Sequence, residues 1–157
     1  MGAKVTIVYQ AEHIADIQAE LQVLAELEYA ELGQPFPLVP DWQRLRDLES
    51  SGKVFMLTVR DGDIDGAASL IGANVMIVDT HIHYASTKVA FNDAIFLRAE
   101  HRRGRIGSKL IQYTEFALKS HDVQAIYYHA KPSNNLGALL NSMGYGACET
   151  VHRKVVA

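Results

Sequence analysis

The chain has 157 residues, of which 48% are hydrophobic, enough for one domain with a full core. It contains no apolar run of about 18 residues that would span a membrane, and its first residues lack the basic start and apolar stretch of a secretory signal. Cys148 is the only cysteine, which excludes an internal disulfide. We therefore expect one domain over residues 1–157 in the reducing cytoplasm.

The net charge of −3 hides an uneven distribution along the chain. Residues 1–97 carry 6 Lys and Arg against 14 Asp and Glu, whereas residues 98–157 carry 9 against 4. This basic excess is narrower and weaker than a nucleic-acid surface usually requires. It favours a small polyanionic ligand over nucleic acid.

The first half of the chain predicts two helices and a series of hairpin-connected strands. Apolar residues recur at helical spacing until Gly33, three prolines between 35 and 40 impose a loop, and Asp41 is a candidate helix cap. Alternating and β-branched residues predict the strands. The predicted elements are strand 4–9, helix 12–31, helix 42–49, strand 54–60, a hairpin turn at 61–63, strand 64–71, and an apolar run at 75–78 that either extends or restarts the sheet.

The second half alternates strands with helices. Its predicted elements are strand 89–97, helix 106–119, strand 124–129, a turn at 132–135 that caps helix 136–142, and a final strand 147–156. The order is β-α-α-β-β-β-α-β-α-β, with hairpins in the first half and strand–helix–strand crossovers in the second. This order predicts an α/β fold around a mixed sheet.

The segment between strand 89–97 and helix 106–119 is the most informative part of the chain. It places a glycine-containing turn at a strand end and directly before a helix. Such a turn presents unpaired backbone N–H groups and the positive end of a helix dipole. The basic residues around it are Arg102, Arg103, Arg105 and Lys109. We therefore predict a site for a phosphate-bearing ligand. It is not a P-loop, which ends in Gly-Lys-Ser/Thr, because the order here is Gly-Ser-Lys.

This turn resembles the acetyl-coenzyme A motif of the GCN5-related N-acetyltransferase superfamily, and the resemblance extends over nearly the whole chain. The motif, Arg/Gln-x-x-Gly-x-Gly/Ala, aligns with residues 102–107, with Arg102 and Gly107 in register. Arg105 occupies the middle glycine position, and Gly104 lies one residue early.

A second match lies near the C-terminus, where the family often has an Asn, a Leu-Tyr pair and Gly-Phe. Aligning Gly144-Tyr145 with the last pair places Asn134 and Asn135 beside the usual Asn position. It also places Leu140 where the family often has a catalytic tyrosine. The His81–Tyr84 segment additionally resembles members carried by bacteriophages.

The resemblance implies a single-domain fold with a central mixed, mostly antiparallel sheet flanked by helices. It implies an N-acetyltransferase that moves an acetyl group from acetyl-CoA to a primary amine by direct attack in a ternary complex. No nucleophile for an acyl-enzyme intermediate is evident. Two alternatives stay open: a non-catalytic coenzyme A-binding or protein-interaction module, and a phage- or toxin-type modifier of protein or tRNA-bound amines. A homodimer also stays open.

The resemblance further implies how acetyl-CoA is held. The backbone N–H groups of residues 103–108 would bind the pyrophosphate, with a bond from Ser108 and a nearby arginine on the 3′-phosphate. The backbone edge of residues 94–98 would pair with the pantetheine arm, and Asn135 would either bond to that arm or cap the last helix. The candidate residues are Phe96, Leu97, Arg102, Arg103, Gly104, Arg105, Ile106, Gly107, Ser108 and Asn135.

Two residues are candidates for the chemistry. Asp93 lies in the otherwise apolar or small run 89–97, where a carboxylate is costly unless paired or functional. The amine must lose a proton before it attacks, and the resemblance places an acidic base nearby, so Asp93 is either this base or a structural Asp. Because Leu140 replaces the usual tyrosine, Tyr128 is a candidate acid, with water or the substrate ammonium equally acceptable.

Further candidates concern the acceptor. His83 either lines the amine pocket, where it binds substrate or assists as a base, or faces solvent in a loop. Metal binding is not predicted, because no acidic or Cys partner lies at ligand spacing from the two histidines at 81 and 83. Tyr29, Phe36 and Trp42 surround the proline-rich loop and form either the acceptor wall or core packing beneath it.

Overall fold

Five strands in sequence order form one mixed sheet in the computed structural model of the chain, which describes residues 6–62 and 68–157. The elements are β1 (Thr6–Ala11), α1 (Ile14–Leu32), α2 (Trp42–Ser50), β2 (Val54–Gly62), β3 (Ser69–His81), β4 (Tyr84–Leu97), a short 3₁₀ helix (Ala99–His101), α3 (Ile106–Ser120), β5 (Ala125–Tyr127) and α4 (Leu136–Ser142).

Strands β1 to β4 pair antiparallel in sequence order, and β5 pairs parallel with β4. This arrangement confirms the predicted mixed, mostly antiparallel sheet. β4 is 14 residues long, yet its register with β5 covers only Val89–Phe91. Beyond Phe91 this edge of β4 pairs with no strand among the described residues and faces an opening.

The helices cover both faces of the sheet and so define two sides of this opening. On one face, α1 packs its buried stripe Ile14, Ile17, Leu21 and Leu24 against β2, β3 and β4, with α2 beside it. On the other face, α3 packs Leu110 and Leu118 against the sheet. We call these the α1 face and the α3 face.

Local sequence determines the ends of the first two helices. Gly33 adopts a positive φ of 58° after the last turn of α1, a conformation that glycine reaches without steric cost. Asp41 caps α2 as predicted, because its carboxylate accepts a hydrogen bond of 3.0 Å from the backbone N–H of Arg44. The proline-rich loop between them is tied to α1 by the Tyr29 hydroxyl, which donates to the Phe36 carbonyl at 2.9 Å.

Most predicted elements are confirmed, and the differences concern strands. β3 runs without a break to His81, so the apolar run at 75–78 extends the sheet. The proposed hairpin turn at 61–63, the start of strand 64–71 and residues 4–5 lie partly or wholly outside the described residues. β5 is shorter than the predicted strand 124–129.

The predicted final strand 147–156 is wrong. Residues 145–157 form no helix or strand, and from Gly146 onward they are exposed. A segment with strand propensity forms a strand only where it can pair with the edge of a sheet. This segment pairs with no strand in the described part of the chain. Within that same part, none of the helices is long and apolar enough to cross a membrane.

Candidate active site

The start of α3 presents a row of free backbone donors. The backbone N–H groups of residues 103–108 donate to no protein acceptor in the described part of the chain. Gly104 takes a positive φ of 64°, whereas Arg105 has an ordinary φ of −111°. The turn therefore needs its glycine one residue earlier than the family motif has it, which explains why an arginine is accepted at position 105.

The basic side chains around this turn divide into two groups. Arg102 is engaged with the protein: its Nη2 lies 2.7 Å from Glu31 Oε2, its Nε donates to the Leu97 carbonyl at 2.6 Å, and its guanidinium lies 5.1 Å from the Phe96 ring centre. The side chains of Arg103 and Arg105 are exposed and make no hydrogen bond or ion pair with the described residues. The side chains of Arg103 and Arg105 are therefore free for a ligand, whereas that of Arg102 already has protein partners.

The remaining residues of the turn lie close to α4. Ser108 donates its hydroxyl to the Arg105 carbonyl at 3.0 Å. A Cβ built on Gly107 would lie 3.8 Å from the Leu139 side chain, so α4 flanks the first turn of α3. Within the turn before α4, the Asn134 side chain accepts from the Leu136 N–H at 3.1 Å. The cap is thus supplied by Asn134, and the Asn135 amide has no hydrogen bond to a described residue.

The backbone of β4 alternates between its β3 side and the opening. The Arg98 N–H donates to the Ile71 carbonyl, and the Phe96 carbonyl lies on the side of Gly72. In an antiparallel ladder every second residue bonds to the same neighbour. The polar backbone groups of Ile95 and Leu97 therefore face the opening, while those of Phe96 do not.

Asp93 lies at an irregularity of β4 on the α1 face. Val75 pairs with Ala94 and Met76 with Asn92, which leaves Asp93 as the extra residue of a β-bulge. Bulges redirect a side chain and are frequent beside active sites. The Asp93 side chain opens into a cleft, yet the protein around it removes part of its hydration, which raises the pKa of the carboxyl above its ordinary value.

The cleft beside Asp93 has a volume of about 590 Å³ and lies between the proline-rich loop and the sheet. Its walls are mainly apolar and aromatic, and Tyr29 and Phe36 belong to them, as the sequence suggested for an acceptor wall. Trp42 does not: it packs against the core and donates from Nε1 to Gln22 at 3.0 Å. The lining residues include Leu38, Val39, Arg44, Leu48 and Ile77.

Glu28 is a residue of this region that the sequence analysis missed. It follows the buried stripe of α1 at the next helical position after Leu21 and Leu24, and it is half-buried. Burial, followed by the charges of Asp93 and Glu31, raises the pKa of Glu28 to about 7, while Lys131 opposes the shift. Glu28 therefore shares its electrostatic environment with the candidate base.

Tyr128 lies on the opposite side of the opening from Asp93. It directly follows the last paired residue of β5, packs in the α3-face cluster and meets Tyr145 edge-on at 5.5 Å between ring centres. Burial raises the pKa of Tyr128 to about 12. Leu140 is buried, so the usual tyrosine position of the family contributes only packing here.

His83 is not brought together with the other candidates. It lies in the exposed turn between β3 and β4, where its backbone N–H donates to His81 Nδ1 at 3.1 Å. The His81 ring lies against Tyr84 at 4.6 Å between ring centres, with the two rings tilted by 39°. Nine residues of β4 separate His83 from Asp93. Among the described residues no group of three or more His, Cys, Asp or Glu side chains is arranged to hold a metal ion.

The five-stranded mixed sheet with its opening and the helices on both of its faces form a GNAT-like α/β fold. Residues 21–145 match the family model described as "Acetyltransferase (GNAT) family". The chain belongs to the GNAT acetyltransferase family. This membership confirms the resemblance seen in the sequence, whereas nothing bears on the likeness to bacteriophage members.

Solved structures of the same fold cover nearly the whole chain. An aminoglycoside acetyltransferase from an uncultured soil metagenomic sample, in complex with trehalose, is 16% identical, with 96% of this chain and 95% of that one covered and a TM-score of 0.72. Glucosamine-6-phosphate N-acetyltransferase from Arabidopsis thaliana is 12% identical, with 97% and 99% covered and a TM-score of 0.72. Ribosomal-protein-alanine N-acetyltransferase from Brucella melitensis is 18% identical, with 98% and 99% covered and a TM-score of 0.66.

At these identities the likeness establishes the fold alone. Comparison with curated protein sequences finds no significant match.

Proposed function

We propose that the protein transfers an acetyl group from acetyl-CoA to a primary amine by direct attack within a ternary complex. The observation that carries the proposal is the run of free backbone N–H groups at residues 103–108, which lies where the open edge of β4 ends. A polyphosphate placed there would be held by backbone donors and the α3 dipole. We also propose that residues 1–157 form a single acetyltransferase domain.

Several side chains would complete the acetyl-CoA site. Arg103 and Arg105 are free to meet phosphate oxygens, and Ser108 reinforces the turn through its bond to the Arg105 carbonyl. The outward backbone N–H of Leu97 and the Asn135 amide suit the polar pantetheine arm, while the Leu97 carbonyl already accepts from Arg102. Arg102 supports this site indirectly, because its ion pair with Glu31 joins the loop to the end of α1.

The amine would approach from the cleft on the α1 face. Asp93 would accept the proton of the substrate ammonium, and its raised pKa makes it a better base than an ordinary aspartate. The neutral nitrogen then attacks the thioester carbonyl carbon, the carbon–sulfur bond breaks, and sulfur leaves with the electron pair. Holding both reactants in line supplies much of the rate enhancement.

The decisive experiment combines calorimetry with a thiol-release assay. Acetyl-CoA titrated into the folded protein should bind, and a panel of polyamines, amino acids, aminoglycosides and peptides should reveal an acceptor that releases free thiol. Absence of acetyl-CoA binding by a folded sample refutes the proposal. Binding without turnover on any amine would instead favour a non-catalytic coenzyme A-binding module.

A further inference from the structure

A buried asparagine joins three of the elements that surround the opening. Asn74 on β3 has no exposed surface. Its Nδ2 donates to Thr114 Oγ1 on α3 at 3.0 Å and to the Tyr128 hydroxyl after β5 at 2.8 Å. Its Oδ1 accepts from Asn92 Nδ2 on β4 at 2.9 Å. Asn92 is the β4 residue directly before the bulged Asp93.

Backbone carbonyls at both ends fix the direction of every bond in this network. The Thr114 hydroxyl donates its one proton to the Leu110 carbonyl at 2.8 Å, so Thr114 can only accept from Asn74. At the other end, Asn92 Nδ2 also donates to the Val75 carbonyl at 3.3 Å. A carbonyl can only accept, so this atom of Asn92 is the nitrogen, and the Asn74 atom that it meets is the oxygen. Both Asn74 N–H groups are therefore donors, and the Tyr128 oxygen must accept.

This direction leaves the Tyr128 proton unused by the protein. No hydrogen bond from the Tyr128 hydroxyl to a described residue exists, while its oxygen is already occupied by Asn74. Tyr128 is also the first residue past the pairing of β5 with β4. The open β4 edge runs from this point to Leu97 beside the α3 turn, about 17 Å for five residues.

We propose that Asn74 is a positioning residue that makes the Tyr128 oxygen an acceptor, so that the Tyr128 O–H group stays free to donate a hydrogen bond to the coenzyme A sulfur as the thioester breaks. The inference rests on the proposed acetyl transfer. When the carbon–sulfur bond breaks, the electron pair stays on sulfur and Tyr128 donates a hydrogen bond to the resulting thiolate. A thiol has a pKa of about 8.5, well below that of Tyr128, so the phenol keeps its proton. The proton that finally neutralises sulfur comes from the attacking nitrogen or from water.

The sharpest test replaces the hydrogen-bond donor of position 74 by an acceptor. Asn74→Asp still accepts from Asn92 but offers Tyr128 a carboxylate, which draws the phenol proton inward. We expect its single-turnover rate to fall about 10-fold, as for Tyr128→Phe, which removes one hydrogen bond to a developing charge. Acetyl-CoA affinity should stay within about twofold, and the double variant should be no slower than Tyr128→Phe alone.

Two further variants keep the test decisive if Asn74→Asp fails to fold. Asn74→Leu has a similar volume, removes the donor, and should also lose rate non-additively with Tyr128→Phe. Thr114→Val removes the other acceptor of the same amide, so it should lower the melting temperature while leaving the rate within about twofold. A wild-type rate in a folded Asn74 variant, or additive effects with Tyr128→Phe, overturns the inference.

A binding measurement makes the inference independent of turnover. Coenzyme A should bind the wild-type protein several-fold more tightly as its thiol ionises between pH 7 and 9.5, because Tyr128 then donates to the thiolate. Tyr128→Phe and the Asn74 variants should lose this gain. If wild type and Tyr128→Phe show the same pH dependence of coenzyme A binding, Tyr128 does not meet the sulfur and the inference fails. If coenzyme A binds more tightly at high pH as expected but no amine is acetylated, only the proposed function is contradicted.

Discussion

Glu28→Gln should make the protein more stable at neutral and alkaline pH. Glu28 lies half-buried beside Asp93, and its carboxylate makes no hydrogen bond or ion pair with a described residue. Burial and the charges of Asp93 and Glu31 raise its pKa from 4.5 to about 7. The folded protein therefore keeps a proton on Glu28 that the unfolded chain has lost within this window.

The sign and size of the effect follow from proton linkage. Because the folded state binds more protons between pH 4.5 and 7, the free energy of unfolding decreases as pH rises through that window. The full shift corresponds to about 3 kcal/mol, which partial exposure of the side chain reduces to about 1–2 kcal/mol. Glu28→Gln removes this penalty, so the variant should exceed the wild type by about 1–2 kcal/mol at pH 8 and match it near pH 4.

Urea unfolding followed by the fluorescence of Trp42, the only tryptophan, measures this difference at pH 4, 5, 6, 7 and 8. Glu26→Gln is a matched control, because Glu26 is an exposed glutamate on the same helix, bonded to Gln22 at 3.0 Å. Its curve should run parallel to the wild type across the whole range. A difference between wild type and Glu28→Gln that stays constant from pH 4 to 8 would refute the electrostatic reasoning.

Three further predictions address the two substrate sides separately. Asp93→Asn should lower kcat/KM about 100-fold or more and abolish the rising limb of its pH profile; a wild-type profile would eliminate the base role. In Gly104→Ala the added Cβ would meet no atom within 4 Å, but the alanine would have to adopt the positive φ of 64°, which strains the backbone by about 1–2 kcal/mol. It should weaken acetyl-CoA binding in calorimetry, whereas Gly146→Ala, which also meets no atom, should not; equal affinities would contradict the role of the turn. Phe36→Ala should raise the KM of the amine and leave acetyl-CoA affinity unchanged, so a change in acetyl-CoA affinity would place Phe36 on the wrong side of the opening.

Periodicity predicted the helices of this fold well, because each one buries a stripe or carries its own cap. Helix 136–142 is found with the predicted bounds, and Asp41 caps α2 through its own side chain. The final strand was wrong for the opposite reason. A strand is stabilised by a neighbour that local sequence does not encode, and Val151 and Val156 are left 73% and 87% exposed.

The same distinction applies to the candidate site: local sequence predicted some of its features, and others depend on long-range contacts. Asp93 was recognisable because a carboxylate interrupts an apolar strand, but the bulge that turns it into the cleft depends on pairing with β3. Arg102 was assigned to phosphate binding from its motif position. Its partner Glu31 is 71 residues away in the chain, and no local pattern reveals that pair. Glu28 was overlooked because a glutamate on an amphipathic helix is usually exposed, although its spacing from Leu21 and Leu24 placed it on the buried stripe.

The proposed reaction would use both faces of β4. Asn92 and Asp93 are consecutive residues of β4, and strand alternation sends them to opposite faces. Asn92 joins the buried network that reaches Tyr128 on the α3 face, while Asp93 opens into the cleft on the α1 face. Because β5 separates from β4 just beyond Phe91, a thioester laid along the free β4 edge would be accessible from both faces. The proton acceptor for the amine and the hydrogen-bond donor for the thiolate would then reach the thioester from different faces of the sheet, so that neither group blocks the other.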